Sequence, residues 1–167
     1  VQSYSLNDSR WPGGTTTFYV SILNPIDGFV SLSGISWDAA FMGAGQKWNN
    51  STAFSFLFVN SYSDPCDSAD FRNGVDFTSS VCGDAYGSGV LAVTLSLPNS
   101  SVSGSPIKVE TDIVFNSGLL WDVYTGGLNS VNEEFHRVAA HELGHALGLG
   151  HENSVDALMN PLVGPVE

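Results

Sequence analysis

Residues 141–151 read HELGHALGLGH and place three of the chain's four histidines in eleven positions. On an α-helix, His141 and His145 stand four residues apart and project from the same side, one turn apart. Two imidazoles so spaced can hold one zinc ion through ring nitrogens at about 2.0–2.1 Å. His151 cannot join them from the same straight helix, because side chains six and ten residues on have drifted off that face. The chain must turn. Gly148 offers the left-handed conformation that ends a helix, and Gly150 adds freedom, so a linear spacing becomes a tripod. Three protein ligands leave a fourth position open to water, which is the arrangement of a catalytic zinc rather than a closed structural one. Glu142 follows the first ligand and needs no metal bond of its own. A bound cation brings the pKa of its water down to about 7, and the carboxylate can take that proton and deliver it to a leaving amine. The fourth histidine, His136, lies five residues before His141 and off the zinc-facing side, a surface or packing position.

The segment SVNEEFHRVAAHELGHALGLG opens with a capping-box pattern, Ser130-x-x-Glu133, and predicts a helix running to the region of Gly148. Upstream, TTTFYVSI (15–22) is β-branched and aromatic and follows the turn signal Pro12-Gly13-Gly14, which predicts a strand. In SWDAAFMGAGQKWNN, Trp37, Phe41, Ala44 and Trp48 recur at helical spacing behind Ser36, so an amphipathic helix with a core-facing stripe is expected. Further strands are expected at AFSFLFVN (53–60), around Val75–Phe77, at GVLAVTLSLP (89–98, stopped by Pro98) and at IKVETDIVF (107–115). Glu110 and Asp112 are two apart and share one face of the last of these. We read that face as exposed, with service to a cation as the alternative. The order strand, helix, strands, helix indicates one mixed α/β domain over residues 1–167; which strands are neighbours is not legible.

Composition agrees. With 43% apolar and 11% aromatic residues in a 167-residue chain, a full hydrophobic core is within reach. No apolar run is long enough to span a membrane. Five Lys+Arg against seventeen Asp+Glu give a net charge of −12, which excludes nucleic acid and anionic membranes as partners. It suits a solvated acidic surface, calcium loops or a cationic substrate. Cys66 and Cys82 would close a loop whose disulfide contributes about 3 kcal/mol, and a free thiol near a metal is the alternative. Export is favoured by that pair and by the Asn-x-Ser/Thr sequons at Asn7, Asn49, Asn50 and Asn99. The chain opens at Val1 with no initiator methionine or signal peptide, so a removed leader and pro-segment are expected. A monomer acting on protein or peptide substrates is the expectation.

The pattern His-Glu-x-x-His-x-x-Gly-x-x-His with a later methionine is the metzincin signature. Within that class YSLNDSRWP (with Tyr4, Arg10 and Trp11), FHRVAAHELGHALGLGH and ALMNP resemble the matrixin branch, the catalytic domain of matrix-metalloproteinase type, in a microbial form. The resemblance implies a zincin domain: a twisted mixed sheet, a backing helix and an active-site helix. It implies a secreted zinc endopeptidase with His141, His145 and His151 as ligands and Glu142 as general base. Met159, eight residues beyond His151, would form an apolar floor beneath the imidazoles without being a ligand. GVLAVTLSLP resembles the family's edge strand, so Leu91 and Ala92 would offer backbone groups to an extended peptide.

Departures from the family sharpen this. Val93 and Asp112 stand where histidines of a second, structural zinc are expected, which implies a single catalytic zinc. Calcium stays open through the Asp-rich stretch 64–84 and Glu110/Asp112. Glu152 is more like the astacin branch, whereas Asn160 replaces the tyrosine that astacins carry there. The chain ends eight residues past Met159, either because this member is trimmed or because a segment lies beyond it. An idle zinc-binding interaction module is the reading from another class, and the intact Glu142 speaks against it.

Overall fold

In the structure, a computed structural model that describes residues 6, 9–22, 31, 33–99, 106–125, 131–154 and 157–161, the chain alternates strands and helices as expected. The order is β1 (Thr15–Val20), α1 (Trp37–Ser51), β2 (Ser55–Val59), β3 (Asn73–Thr78), β4 (Ala92–Asn99), β5 (Ile107–Asn116), β6 (Trp121–Asp122), β7 (Glu133–Glu134) and α2 (Phe135–Leu147). Five strands form one sheet in the order β2-β1-β3-β5-β4. All pairings are parallel except that of β4 with β5, so β4 is an antiparallel edge strand. No helix among the described residues is long and apolar enough to cross a membrane.

Phe18 and Val20 alternate inward on β1 and meet Trp37, Phe41 and Ala44 from α1, as the helical spacing predicts. Ser36 caps α1, its hydroxyl accepting from the Ala39 N–H at 3.2 Å. Where α1 and α2 pack together, the Trp48 indole donates to the Ala140 carbonyl at 2.8 Å. Trp37, Phe77, Phe115, Trp121 and Phe135 form an aromatic cluster between the sheet and α2, with the Phe115 and Phe135 rings 4.6 Å apart.

The N-terminus of α2 differs from expectation. Ser130 lies outside the described residues, and Glu133 pairs with Trp121 in a short parallel ladder. The helix begins after Glu134, whose carboxylate accepts from the N–H groups of His136 (3.2 Å) and Arg137 (2.6 Å). A carboxylate there satisfies two orphan donors and complements the helix dipole, so it does the work expected of the serine. The Tyr4 and Asn7 features also fall outside the described residues.

Two strand expectations are corrected. First, β4 does not stop at Pro98 but runs to Asn99, with a register shift at Leu97/Pro98. Leu97 faces Glu110 and Pro98 faces Lys108, which leaves Val109 as the extra residue of a β-bulge. Proline is tolerated because an edge strand need not donate on its open side.

Second, the Glu110/Asp112 face is not exposed: the two carboxylates retain 1% and 5% of their accessible surface. Glu110 accepts from the N–H groups of Ala69 (2.8 Å) and Phe71 (2.6 Å), and Asp112 from that of Gly74 (2.7 Å). The loop 61–72 covers this face, and a disulfide between Cys66 and Cys82 ties it to the segment after β3. Pairing of these cysteines sets aside the free thiol.

Burial, reinforced by Glu110, Asp70 and Asp64, pushes the Asp112 carboxyl up to about 7, against the pull of the Gly74 N–H. Between the ordinary carboxylate pKa and 7 the folded chain therefore holds a proton that the unfolded chain has released. Stability falls as pH rises through that window. Asp112→Asn keeps an acceptor for Gly74 and removes the charge. We expect the two proteins to unfold at similar urea concentrations near pH 4. By pH 8 the variant gains about 2 kcal/mol, half of the largest value such a shift allows, because the loop relaxes and admits water. A constant gap across this range would rule out Asp112 as the titrating group.

Candidate metal centre

His141 and His145 lie on α2, and Gly148 ends that helix with φ 115°, its N–H returning to the carbonyls of Gly144 and His145. That left-handed residue turns the chain so that His151 comes back to the same point. The candidate ligand atoms of the three histidines all lie within 4.8 Å of one another. The Nε2 atoms of His145 and His151 are 3.1 Å apart. Tetrahedral zinc with bonds of about 2.0–2.1 Å needs its nitrogens roughly 3.3 Å apart, so the set fits.

Two of the rings are oriented by carbonyls. His141 Nδ1 meets the Leu158 carbonyl at 2.7 Å, and His145 Nδ1 meets that of Leu149 at 2.8 Å. A ring that donates from Nδ1 presents a lone pair at Nε2, the tautomer that a metal requires. Burial lowers the pKa of both rings, that of His141 to about 4, although the carbonyl contacts oppose the shift. Neutral imidazoles at neutral pH are ready to ligate without releasing protons.

The helix end is held from below and behind. The bulge at Val109 reverses the alternation of β5, so Lys108 turns towards α2 rather than joining Glu110. Its ammonium, on a side chain with 1% exposure, donates to the carbonyls of His145 and Ala146, each at 3.0 Å. A cation there complements the C-terminal end of the helix dipole, and the Trp11 indole adds a bond to Ala146 at 2.9 Å. Met159 is buried against Gly144, between the two helical histidines, where a Cβ would come within 2.3 Å of its sulfur. The methionine can approach the helix only because residue 144 has no side chain.

Glu142 is buried and faces β4. Its Oε2 accepts from the Thr94 hydroxyl at 2.6 Å. Burial raises its carboxyl to about 7 and the Thr94 bond pulls the other way. On the edge strand, the Leu91 carbonyl is taken by the Asn116 N–H at 2.9 Å. Ladder alternation then turns the N–H and C=O of Ala92 to the open edge.

His136 is half-buried on α2 beside Lys47 (3.4 Å), apart from the triad. Val93 lies opposite Val114, and Asp112 opposite Leu95. Acidic side chains of the 64–84 stretch serve local N–H groups: Asp64 that of Cys66, Asp70 that of Arg72, Asp76 that of Phe77. Lys108, Thr94 and Gly144 went unread in the sequence. A bulge invisible to period-2 patterning hid the first. The second carried a signal, since Thr94 shares a strand face with Ala92, two residues away.

A glycine-turned helix that carries His-Glu-x-x-His and brings back a third histidine over a buried methionine defines the metzincin class of metal sites. Residues 11–167 match the model of the matrixin family, and the chain belongs to that family. It is 31% identical to human matrix metalloproteinase-20 over 96% of this chain, which spans 29% of that relative's length. The choice left open by Glu152 and Asn160 thus falls to the matrixin side.

Proposed function

We propose that residues 1–167 form the catalytic domain of a secreted, monomeric endopeptidase that uses one zinc ion, held by His141, His145 and His151, with Glu142 as general base. The carrying observation is the convergence of three imidazoles, two with Nδ1 engaged by carbonyls, beside a buried carboxylate. Zinc bound there supplies Lewis acidity to the scissile carbonyl and to the attacking water. A peptide lies extended along β4, where the outward N–H and C=O of Ala92 orient it by strand addition, whereas the Leu91 carbonyl expected to help is already taken by Asn116. Glu142 accepts a proton from water during attack and passes it to the departing amine. Met159 keeps the underside of the imidazoles dry. The disulfide suits an oxidising, extracellular setting.

The test is cleavage of an unfolded protein, such as reduced and alkylated casein, with a metal count. We expect one zinc per chain, loss of cleavage with a chelator and recovery with added zinc. A protein that binds one zinc and cleaves nothing sinks the peptidase reading, and two tightly held zincs sink the single-ion claim.

A further inference from the structure

We infer that Thr94 is the positioning residue of the general base and locks it to the strand that carries substrate. The inference rests on the peptidase reading above and goes beyond it to a residue of this chain's own edge strand. Thr94 Oγ1 lies 2.6 Å from Glu142 Oε2 and 3.1 Å from the Glu142 main-chain carbonyl. No other hydrogen bond reaches this carboxylate among the described residues. Thr94 thus fixes one carboxylate oxygen and leaves Oε1 for proton exchange.

The hydroxyl has one proton and two acceptors, both on Glu142, so it reaches the carboxylate and the main chain of the same residue and holds the side chain against its own helix turn. No bond to carbon changes, and the only transfer is the proton that Glu142 receives and gives up.

Placement makes this more than a buried hydrogen bond. Thr94 and Ala92 are two apart on β4, so their side chains share one face. Glu142 is on α2, while the peptide would lie on β4; the Thr94–Glu142 bond links the two elements at the reacting point. Removing it leaves peptide binding intact and lets the base wander. The loss therefore falls on kcat and not on KM. Misplacement of a catalytic group by about 1 Å costs up to roughly a hundredfold.

Thr94→Val keeps the shape and removes the hydroxyl, whereas Thr94→Ser keeps the hydroxyl. With zinc-loaded protein and a fluorogenic peptide, we expect T94V to lose about tenfold to a hundredfold in kcat with KM within about twofold, and T94S to recover most of it. Chelator competition reports unchanged zinc affinity in both. In metal-free protein, the infrared carboxylate stretch of Glu142 shifts in T94V and stays in place in T94S. Thr94→Ala serves as the hydroxyl-free variant if valine impairs folding. An active wild type with T94V or T94A at full kcat overturns the role of Thr94 alone. A wild type that cleaves nothing overturns this role together with the peptidase reading.

Discussion

Glu142→Gln should lower kcat by about 10²- to 10⁴-fold, the usual contribution of a positioned general base, and leave zinc binding at one ion per chain. Glutamine has the same size as the buried glutamate and keeps an oxygen for the Thr94 hydroxyl, so the packing between α2 and β4 is preserved. It cannot accept a proton from water at neutral pH. The rings of His141 and His145 are untouched, because their orientation comes from the Leu158 and Leu149 carbonyls and not from Glu142. KM should change little, since the peptide is held by the strand edge. A second, independent readout exists in the metal-free protein. Burial raises the Glu142 carboxyl to about 7, so the folded chain holds a proton that the unfolded chain has lost above the ordinary glutamate range. Its contribution to stability is present at low pH and disappears as pH rises through 7. The glutamine variant lacks that loss and should melt above wild type at pH 8 but not near pH 4. Full kcat in the variant would move the base elsewhere; unequal zinc affinity would make Glu142 part of the ligand set.

The convergence of the three histidines was legible because helix geometry is local. Spacing of four residues and a glycine three beyond the second histidine fix the positions of three rings with no knowledge of the sheet, and Gly148 does adopt φ 115°. The α1 stripe was legible for the same reason: a 3.6-residue period shows in the sequence wherever a helix has one buried side. Strand order was not, because β1 pairs with both β2 and β3, and those partners are chosen by contacts remote in sequence. What lies behind the site was hidden by two further effects. The bulge at Val109 reverses facing within a single strand, so Lys108 and Glu110 point to opposite sides although their spacing says otherwise. Charge also misled: acidic residues two apart look solvated, yet here a loop covers them and turns its N–H groups onto Glu110. Burial of a carboxylate is decided by whether backbone donors come to meet it, and those donors lie about forty residues away in the chain.

That loop yields the largest stability effect we expect outside the site. Glu110→Ala should cost about 3–5 kcal/mol of unfolding free energy, because a carboxylate that accepts two backbone N–H groups makes two charge-assisted bonds of about 1.5–3 kcal/mol each. Both donors belong to strained residues: Ala69 and Phe71 have φ of 71° and 60°, values that side-chain-bearing residues seldom adopt. Nothing in their side chains rewards this, since Phe71 is largely exposed. The backbone twists so that N–H groups two residues apart point at the same carboxylate, and the bonds to Glu110 offset the strain. Glutamine is a poor substitute. Its oxygen can serve one N–H, but its amide nitrogen then faces the other donor, so Glu110→Gln should still cost about 2 kcal/mol. Damage in both variants should be confined at first to the loop, because the Cys66–Cys82 bond holds one side of it to the segment after β3. Hydrogen exchange at residues 61–72 should therefore accelerate before the β1 and α2 amides are affected. Urea unfolding of wild type, Glu110→Ala and Glu110→Gln in the same buffer gives the ordering. If alanine lies within about 0.5 kcal/mol of wild type, the range of an ordinary surface change, the clamp contributes nothing and the loop is held by the disulfide alone.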